Sequence, residues 1–182
     1  MATNRYVAVL DACVLIPMPV ADTLLRLAEE PAFYSPCWSA DILTEVKRTL
    51  VTKWRYPSAA AQRRISAMQH AFPEAMVEGY ADVIDSMKNG PGDRHVLAAA
   101  VRCRADCIVS NNKRHFPEEA LKPYGIECLT ADEFLTHQYH LNPDLFITKL
   151  TEQAEDIGQS LHWLIARHVP SLAKLITIAA EE

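Results

Sequence analysis

The stretch that decides the fold is residues 6–11, Tyr-Val-Ala-Val-Leu-Asp, in which an apolar run ends on an acid. A run of this length and β-branched content predicts a buried first strand. Open α/β sheets build their sites at the carboxyl edge of the strands. We therefore expect Asp11 to emerge at such a site.

Three further polar residues stand beside predicted helix or strand boundaries, namely Glu45, Asp93 and Asn112. Oxygen ligands that converge on one sheet edge favour a hard divalent cation. They indicate metal-assisted chemistry on a phosphate ester. Several carboxylates pressed together repel one another, so without a cation at least one should keep its proton.

Strands that alternate with helices predict a parallel sheet with right-handed crossovers. Helices are expected after caps at Asp22 and Ser39, at about 58–71 and 74–87, after Asp93, and after a capping box at 130–133. Further short strands are expected at 33–36 and 106–110. The chain thus belongs to the α/β class.

The C-terminal part has a different character. Asn142-Pro143 marks a boundary, and apolar residues from Phe146 to Ile165 then recur at helical spacing until Pro170 interrupts the pattern. From residue 138 onward there are six acids against three basic residues. We expect a domain at 1–137 and a helical extension at 138–182 that packs on the domain, on a second subunit or on a partner.

Composition excludes several protein classes. Hydrophobic residues make up 49% and charged residues 23%, which is typical of a soluble domain. No run approaches the ~18–20 apolar residues of a membrane span, and the N-terminus is unlike a secretory signal. Five cysteines without a paired spacing indicate reduced, mostly buried thiols. We therefore expect a cytoplasmic protein that contacts no membrane.

The net charge of −5 counts mildly against a general nucleic-acid binder. Lysines and arginines nevertheless crowd the segment 47–64, and Lys113-Arg114 forms a second basic group. Such patches beside an acidic centre suit an RNA-cleaving site, although they are also typical of ordinary solvated faces.

Two of the candidate acids have ordinary alternative explanations. Asp93 follows a Gly-Pro-Gly turn and could serve only as a helix N-cap. Glu45 lies at the border of the apolar stripe of its helix and could instead pair with Arg48 on a wet surface. Asp11 is the hardest to explain away, because a turn acid seldom follows so apolar a run.

The remaining candidates also have ordinary alternatives. Asn111 and Asn112 fit a turn after a strand. His95 and His115 are expected to be structural or surface residues rather than metal ligands.

Four segments of the chain resemble, in order and spacing, the four motifs of the PIN domain. They are Val-Leu-Asp-Ala-Cys-Val-Leu at 9–15, Ile-Leu-Thr-Glu-Val at 42–46, Asp-Arg-His-Val-Leu-Ala-Ala-Ala at 93–100, and Ile-Val-Ser-Asn-Asn-Lys-Arg-His-Phe-Pro at 108–117. The match runs from about residue 5 to 136. The four segments most resemble those of the VapC-type toxins of bacterial toxin–antitoxin pairs. The acidic tail looks like an extension found in one branch of these toxins.

The resemblance implies a PIN-like three-layer fold, with a central, mainly parallel sheet flanked by helices. It also implies an endoribonuclease that depends on Mg²⁺ or Mn²⁺. The family's acidic residues map onto Asp11, Glu45 and Asp93, as metal ligands and catalytic residues. Its fourth catalytic position maps onto Asn112, with Ser110 as the small hydroxyl residue just before it.

Two departures from the family pattern reduce the negative charge at the site. Gly90-Pro91-Gly92 stands where close relatives commonly carry extra aspartates, and His115 stands where an Asp frequently precedes the Phe. They bear on metal affinity and on whether one metal or two are bound. Asn111 and His115 remain candidate auxiliary residues.

The resemblance further implies a substrate and partners. The substrate would be a structured RNA loop in tRNA or ribosomal RNA, cleaved by an activated water in line with the scissile phosphate. A cognate antitoxin would block the site, and the chain would form a homodimer.

Two rival functions stay open. Phosphotransfer through Asp11 usually needs a second acid two residues later, and here that residue is Cys13. A PIN-like module that has lost its metal could still bind RNA or a protein partner. The substitution Asp11→Asn distinguishes this module from an enzyme, because only the enzyme loses an activity.

Overall fold

The sheet is built around the first strand, β1 (Val7–Leu10), in a computed structural model that describes residues 6–181, with side chains through Leu175. The other strands are β2 (Ser35–Cys37), β3 (Cys107–Val109) and β4 (Glu127–Leu129). All pair in parallel in the order β2-β1-β3-β4. Because β1 and β3 lie inside the sheet and their residues are almost entirely buried, they carry the apolar runs seen in the sequence.

Helices cover the sheet, and local capping explains where several begin. They are α1 (Ala12–Leu15), α2 (Val20–Ala28), α3 (Ala40–Thr52), α4 (Ser58–Ala71), α5 (Arg94–Cys103), α6 (Glu118–Leu121), α7 (Ala131–Leu141), α8 (Pro143–Asp156), α9 (Leu161–His168) and α10 (Pro170–Glu181). Ser39 accepts from the Ile42 amide and starts α3. Thr130 and Glu133 form the expected capping box of α7.

Short 3₁₀ helices connect several of these elements. They span Pro73–Ala75, Ala81–Ser86, Pro91–Asp93, Lys113–His115 and Lys122–Tyr124. Among the residues that the structure describes, no helix combines the length and apolar character needed to cross a bilayer. All five cysteines carry free thiols, as expected.

Three details of the predicted secondary structure are wrong. The helix expected at 74–87 is instead two 3₁₀ turns around a stretch in which Met76 bridges Trp38 and Gly79 adopts φ +67°. Helix α2 begins before Asp22, which lies in its first turn and pairs with Arg26. The apolar pattern from 146 to 165 belongs to two helices, because the chain turns at Gly158, at φ +65°.

The extension packs on its own domain through polar contacts that a periodicity argument cannot foresee. Lys149 Nζ donates to the carbonyls of Arg26 and Glu29 at 2.8 and 2.9 Å, so it caps the last turn of α2. Gln153 is fully buried and accepts from the Thr23 hydroxyl at 2.7 Å. The expected division at 137/138 falls inside α7, which continues to Leu141.

Replacing Gln153 with alanine should lower the free energy of unfolding by about 1–3 kcal/mol, since two hydrogen bonds are lost at ~0.5–1.5 kcal/mol each. These are the bond from the Thr23 hydroxyl and the bond to the Pro19 carbonyl. Urea denaturation measures the change. The exposed neighbour Glu152 provides the control, and Glu152→Ala should shift stability by less than about 0.5 kcal/mol. Equal effects of the two variants would contradict this account of the α2–α8 contact.

Candidate active site

Asp11 lies where the first strand ends and the first helix begins. Its amide donates to the Val109 carbonyl of β3 at 3.1 Å, which ties it to the centre of the sheet. Its Oδ1 accepts from the Ala12 amide at 2.7 Å, so the carboxylate caps α1. The residue is only 3% exposed. A buried carboxylate at a strand end is thus held in one orientation by backbone groups.

Two neutral donors hold the other oxygen of Asp11. The Ser110 hydroxyl donates to Oδ2 at 2.6 Å, and the Cys13 thiol donates to the same atom at 3.2 Å. Burial, and then the charge of Asp11, raises the pKa of Cys13 to about 12, so the thiol stays protonated and keeps donating. Since both donors are neutral, neither cancels the negative charge of the carboxylate.

The structure contains a cleft of about 520 Å³ that Asp11 itself does not line. It is lined by Asp41, Thr44, Glu45, Arg48, Gly92, Asp93, His95, Asn112 and His115. The structure therefore brings together Glu45, Asp93 and Asn112, which lie far apart in the sequence. Asp11 acts on this cleft through its charge, which raises the pKa of both Glu45 and Asp93.

Glu45 is partly exposed on α3, at the border of the core. Burial raises the pKa of its carboxyl, and the charges of Asp11 and Asp93 raise it further. Its Oε2 lies 3.9 Å from Nε2 of His95, which forms an ion pair when the imidazole is protonated. Arg48 makes no ion pair with it among the described residues, although its charge lowers the pKa of Glu45 to a smaller extent than burial and Asp11 raise it.

Asp93 occupies the N-cap position of α5, but its side chain makes no capping hydrogen bond. Its Oδ2 instead lies 3.0 Å from Nδ1 of His115. The pKa of Asp93 is raised by burial and by Asp11, and lowered to a smaller extent by His115 and His95. The carboxylate thus faces the cleft rather than the helix end, contrary to the cap alternative.

The two asparagines after β3 do different things. Asn112 is exposed and lines the cleft, and its backbone N–H donates to the Ser110 hydroxyl at 3.1 Å. Asn111 turns away, because its Oδ1 accepts from the Ala131 amide at 3.1 Å and fixes the loop to the start of α7. Its auxiliary role is therefore structural in this arrangement. Ser110 joins the loop to Asp11.

Both histidines line the cleft, which agrees with His115 as a candidate auxiliary residue. That they are structural or surface residues rather than metal ligands stays a prediction. His95 is one residue into α5 and His115 ends a 3₁₀ turn, so neither position follows from helical periodicity. Asp41 was missed as well, although it precedes Glu45 by one helical turn on the same face of α3. Its carboxylate accepts from the Tyr80 hydroxyl at 2.8 Å.

The donor set fits a hard cation that keeps most of its water. Among residues 6–181, no three His, Cys, Asp or Glu side chains are close enough to enclose a metal ion by themselves. Mg²⁺ does not require such a cage, because one or two carboxylates with several waters usually hold it. After burial, the charge of Asp11 raises the pKa of Glu45 and of Asp93, and a cation beside them would relieve this repulsion. Asp11, Glu45 and Asp93 are the residues that could hold it.

Comparison with known families decides the membership of this chain. A sequence profile of the PIN domain matches residues 7–114, more than half of the chain. The chain belongs to the PIN-domain family. The expected PIN-like α/β fold is confirmed by this match together with the parallel sheet.

One relative supports the VapC-type resemblance of this PIN-domain protein. Putative ribonuclease VapC50 of Mycobacterium tuberculosis is 55% identical over 67 residues. That alignment covers 37% of the chain and 40% of the relative, so less than half of the relative's length is matched. No solved structure matches the chain.

Removing the charge of Asp11 should lower the pKa of Glu45 and of Asp93, because that charge disfavours ionisation of both. Carbon-detected NMR titration of the Asp11→Asn protein, without metal, measures both values. Asp106→Asn removes a charge from the start of β3, at the opposite end of the strands from Asp11, and should leave the pKa values of Glu45 and Asp93 unchanged. If the pKa values of Glu45 and Asp93 in a folded Asp11→Asn protein equal those in the wild-type protein, the three carboxylates do not share one electrostatic site.

Proposed function

We propose that this PIN-domain protein is a metal-dependent endoribonuclease that hydrolyses phosphodiester bonds in structured RNA. The observation that carries the proposal is the coupling of Asp11, through its charge, to Glu45 and Asp93 across one open cleft. Phosphoryl chemistry needs positive charge at such a place, since a phosphate would otherwise meet three acids. A divalent cation, Mg²⁺ or Mn²⁺, meets that need.

Asp11 and Asp93 would hold the metal, and Glu45 would contact it through a bound water. When bound, the metal would supply Lewis acidity to the phosphate and lower the pKa of a water molecule. Ser110 and Cys13 keep the Asp11 carboxylate in place and leave its charge intact.

Glu45 would take the proton from the attacking water. Burial is the largest cause that raises its pKa, and it makes Glu45 a better proton acceptor near neutral pH than an ordinary carboxylate. Asn112, exposed at the cleft edge, would donate a hydrogen bond to a water or a phosphate oxygen. His95 and His115 stand within reach of Glu45 and Asp93 and, when protonated, would partly offset their charge.

The biological setting is proposed from the resemblance and from the relative's name. The chain would be a toxin of a bacterial type II toxin–antitoxin pair that cuts a tRNA or ribosomal RNA loop in the cytoplasm. Unstacked loop bases are where proteins can recognise RNA sequence. A cognate antitoxin would cover the cleft, the protein would form a homodimer, and residues 138–182 would extend a nuclease domain at 1–137.

Cleavage of total bacterial RNA by the purified protein tests the proposal. Discrete fragments should appear with MgCl₂ or MnCl₂ and disappear with EDTA. Asp11→Asn should abolish them, whereas the remote Asp106→Asn should not. Sequencing the fragment ends then identifies the substrate, and 5′-phosphate ends indicate attack by water.

The same assay also tests the alternative function, a PIN-like module that binds RNA or a protein partner without cleavage. If a folded, partner-free protein cuts no RNA with any metal, the hydrolytic proposal fails and a PIN-like binding module becomes the better hypothesis. The Gly90-Pro91-Gly92 stretch and the proximity of His115 to Asp93 are the features that favour such a module.

Ser110→Ala should lower both Mn²⁺ affinity and cleavage by about 10–100-fold, the usual cost of removing a group that orients a metal ligand. The reason is the loss of the 2.6 Å hydrogen bond that fixes Asp11 Oδ2. Calorimetric titration with MnCl₂ and single-turnover cleavage measure the two effects. Ser66→Ala, an exposed serine on α4, serves as control. Wild-type metal affinity in Ser110→Ala would show that Asp11 needs no such support.

A further inference from the structure

The charge of this protein is strongly segregated. Between Val46 and Pro73 there is no acid, and this stretch holds six of the 18 lysines and arginines of a chain whose net charge is −5. They are Lys47, Arg48, Lys53, Arg55, Arg63 and Arg64. The stretch comprises the end of α3, the connecting loop and α4.

Two of these cations have structural partners. The Arg64 guanidinium donates to the carbonyls of Leu15 and Ile16, which end α1, and burial lowers its pKa. Lys47 Nζ donates to Gln62 Oε1 at 2.8 Å. These residues join α3, α4 and α1 and are therefore part of the scaffold.

The other four cations are exposed: Arg48, Lys53, Arg55 and Arg63. In the part of the chain that the structure describes, none of them forms an ion pair with a carboxylate. Arg48 acts on Glu45 through its charge and lowers the pKa of that carboxyl. The charges of Lys53, Arg55 and Arg63 are available to an anion from outside the protein.

Two aromatic side chains stand among these cations. Trp54 is 46% exposed and Tyr56 is 38% exposed, on the loop between α3 and α4. Within the described residues, neither ring packs against another aromatic ring. The loop is anchored, because the Trp54 and Tyr56 amides donate to the carbonyls of Thr49 and Leu50 at 3.2 and 3.0 Å. The rings are thus presented from a fixed backbone.

Helix α3 connects this loop to the cleft. Glu45, Arg48 and Thr52 lie on one face of the helix, since they are three or four residues apart. Arg48 lines the cleft itself. The helical rise puts Thr52, the last residue of α3, about 10 Å beyond Glu45, and the loop follows it. A strand whose phosphate lies in the cleft would therefore reach the loop within a few nucleotides.

We infer that the α3–α4 loop, residues 53–57 together with Arg48, is a binding surface for single-stranded RNA in which the Trp54 ring stacks on an unpaired base. Basic side chains beside exposed aromatic rings suit this ligand, because its phosphates can pair with the cations and its bases can stack on the rings. The inference rests on the proposed function, since it places the flanking part of the same substrate.

Binding without cleavage tests the inference. The full-length Asp11→Asn protein in EDTA is titrated with a fluorescein-labelled 12-mer of oligouridylate, and anisotropy gives the Kd. Adding Trp54→Ala should weaken binding by about 5- to 150-fold, the usual effect of losing one base stack. The matched control is Trp163→Ala, which removes a tryptophan that is 37% exposed on α9 and should leave the Kd unchanged.

A second probe separates stacking from charge. A 12-mer ribose-phosphate chain without bases should bind Trp54→Ala as well as it binds the parent protein. The double variant Lys53→Gln/Arg55→Gln should weaken both probes and reduce the slope of log Kd against log salt by about 0.7 for each lost phosphate contact. Circular dichroism confirms that each variant is folded.

The outcomes discriminate between the two proposals. If Trp54→Ala binds oligouridylate as tightly as Trp163→Ala does, or if no variant binds RNA, the inference is overturned and the loop becomes a surface for an acidic protein partner. Metal-dependent cleavage by the wild-type protein would then still support the proposed function. Conversely, stacking on Trp54 in a protein that never cleaves RNA upholds the surface and refutes the nuclease.

Discussion

The buried carboxylate of Asp11 is the constraint on which the site depends. An ionised group at 3% exposure is costly unless hydrogen bonds and nearby charge compensate for lost water. Here the compensation comes from the Ala12 amide, the Ser110 hydroxyl and the Cys13 thiol, all neutral. The carboxylate is therefore fixed in position while its charge remains directed at Glu45 and Asp93. That combination explains why a cation would gain so much by binding there.

Much of this arrangement follows from the sequence, because it depends on local patterns. An apolar run ending on an acid predicted both the buried strand β1 and the position of Asp11 at its end. Apolar periodicity and the Ser39 cap predicted α3 and placed Glu45 at the border of the core. Parallel strands bring their carboxyl ends to one side of the sheet, but it is the observed order, with β3 beside β1, that brings Ser110 to Asp11.

The parts that sequence could not predict depend on tertiary contacts. Nothing local indicates that His115 should lie 3.0 Å from Asp93, since the 3₁₀ turn Lys113–His115 that brings it there is distant from Asp93 in the sequence. The docking of α8 on α2 depends on Lys149 and Gln153, which look like ordinary polar helix residues. The apolar pattern after Phe146 was misassigned to one helix. The turn at Gly158 ends the helix, but the apolar residues keep their helical spacing in the sequence across it.

Helix α3 carries acidic residues near its start, and basic residues lie near its end and on the loop that follows. The first turns of α3 hold Asp41 and Glu45, and its last turns and the loop hold Arg48, Lys53 and Arg55 without a single acid. A polyanion would be repelled by the acids of the cleft in the metal-free protein and attracted by the loop that follows α3. Binding at the loop would thus precede entry into the cleft, and a cation would then decide whether the strand can enter. In the proposed nuclease, substrate capture and chemistry would therefore lie at opposite ends of α3.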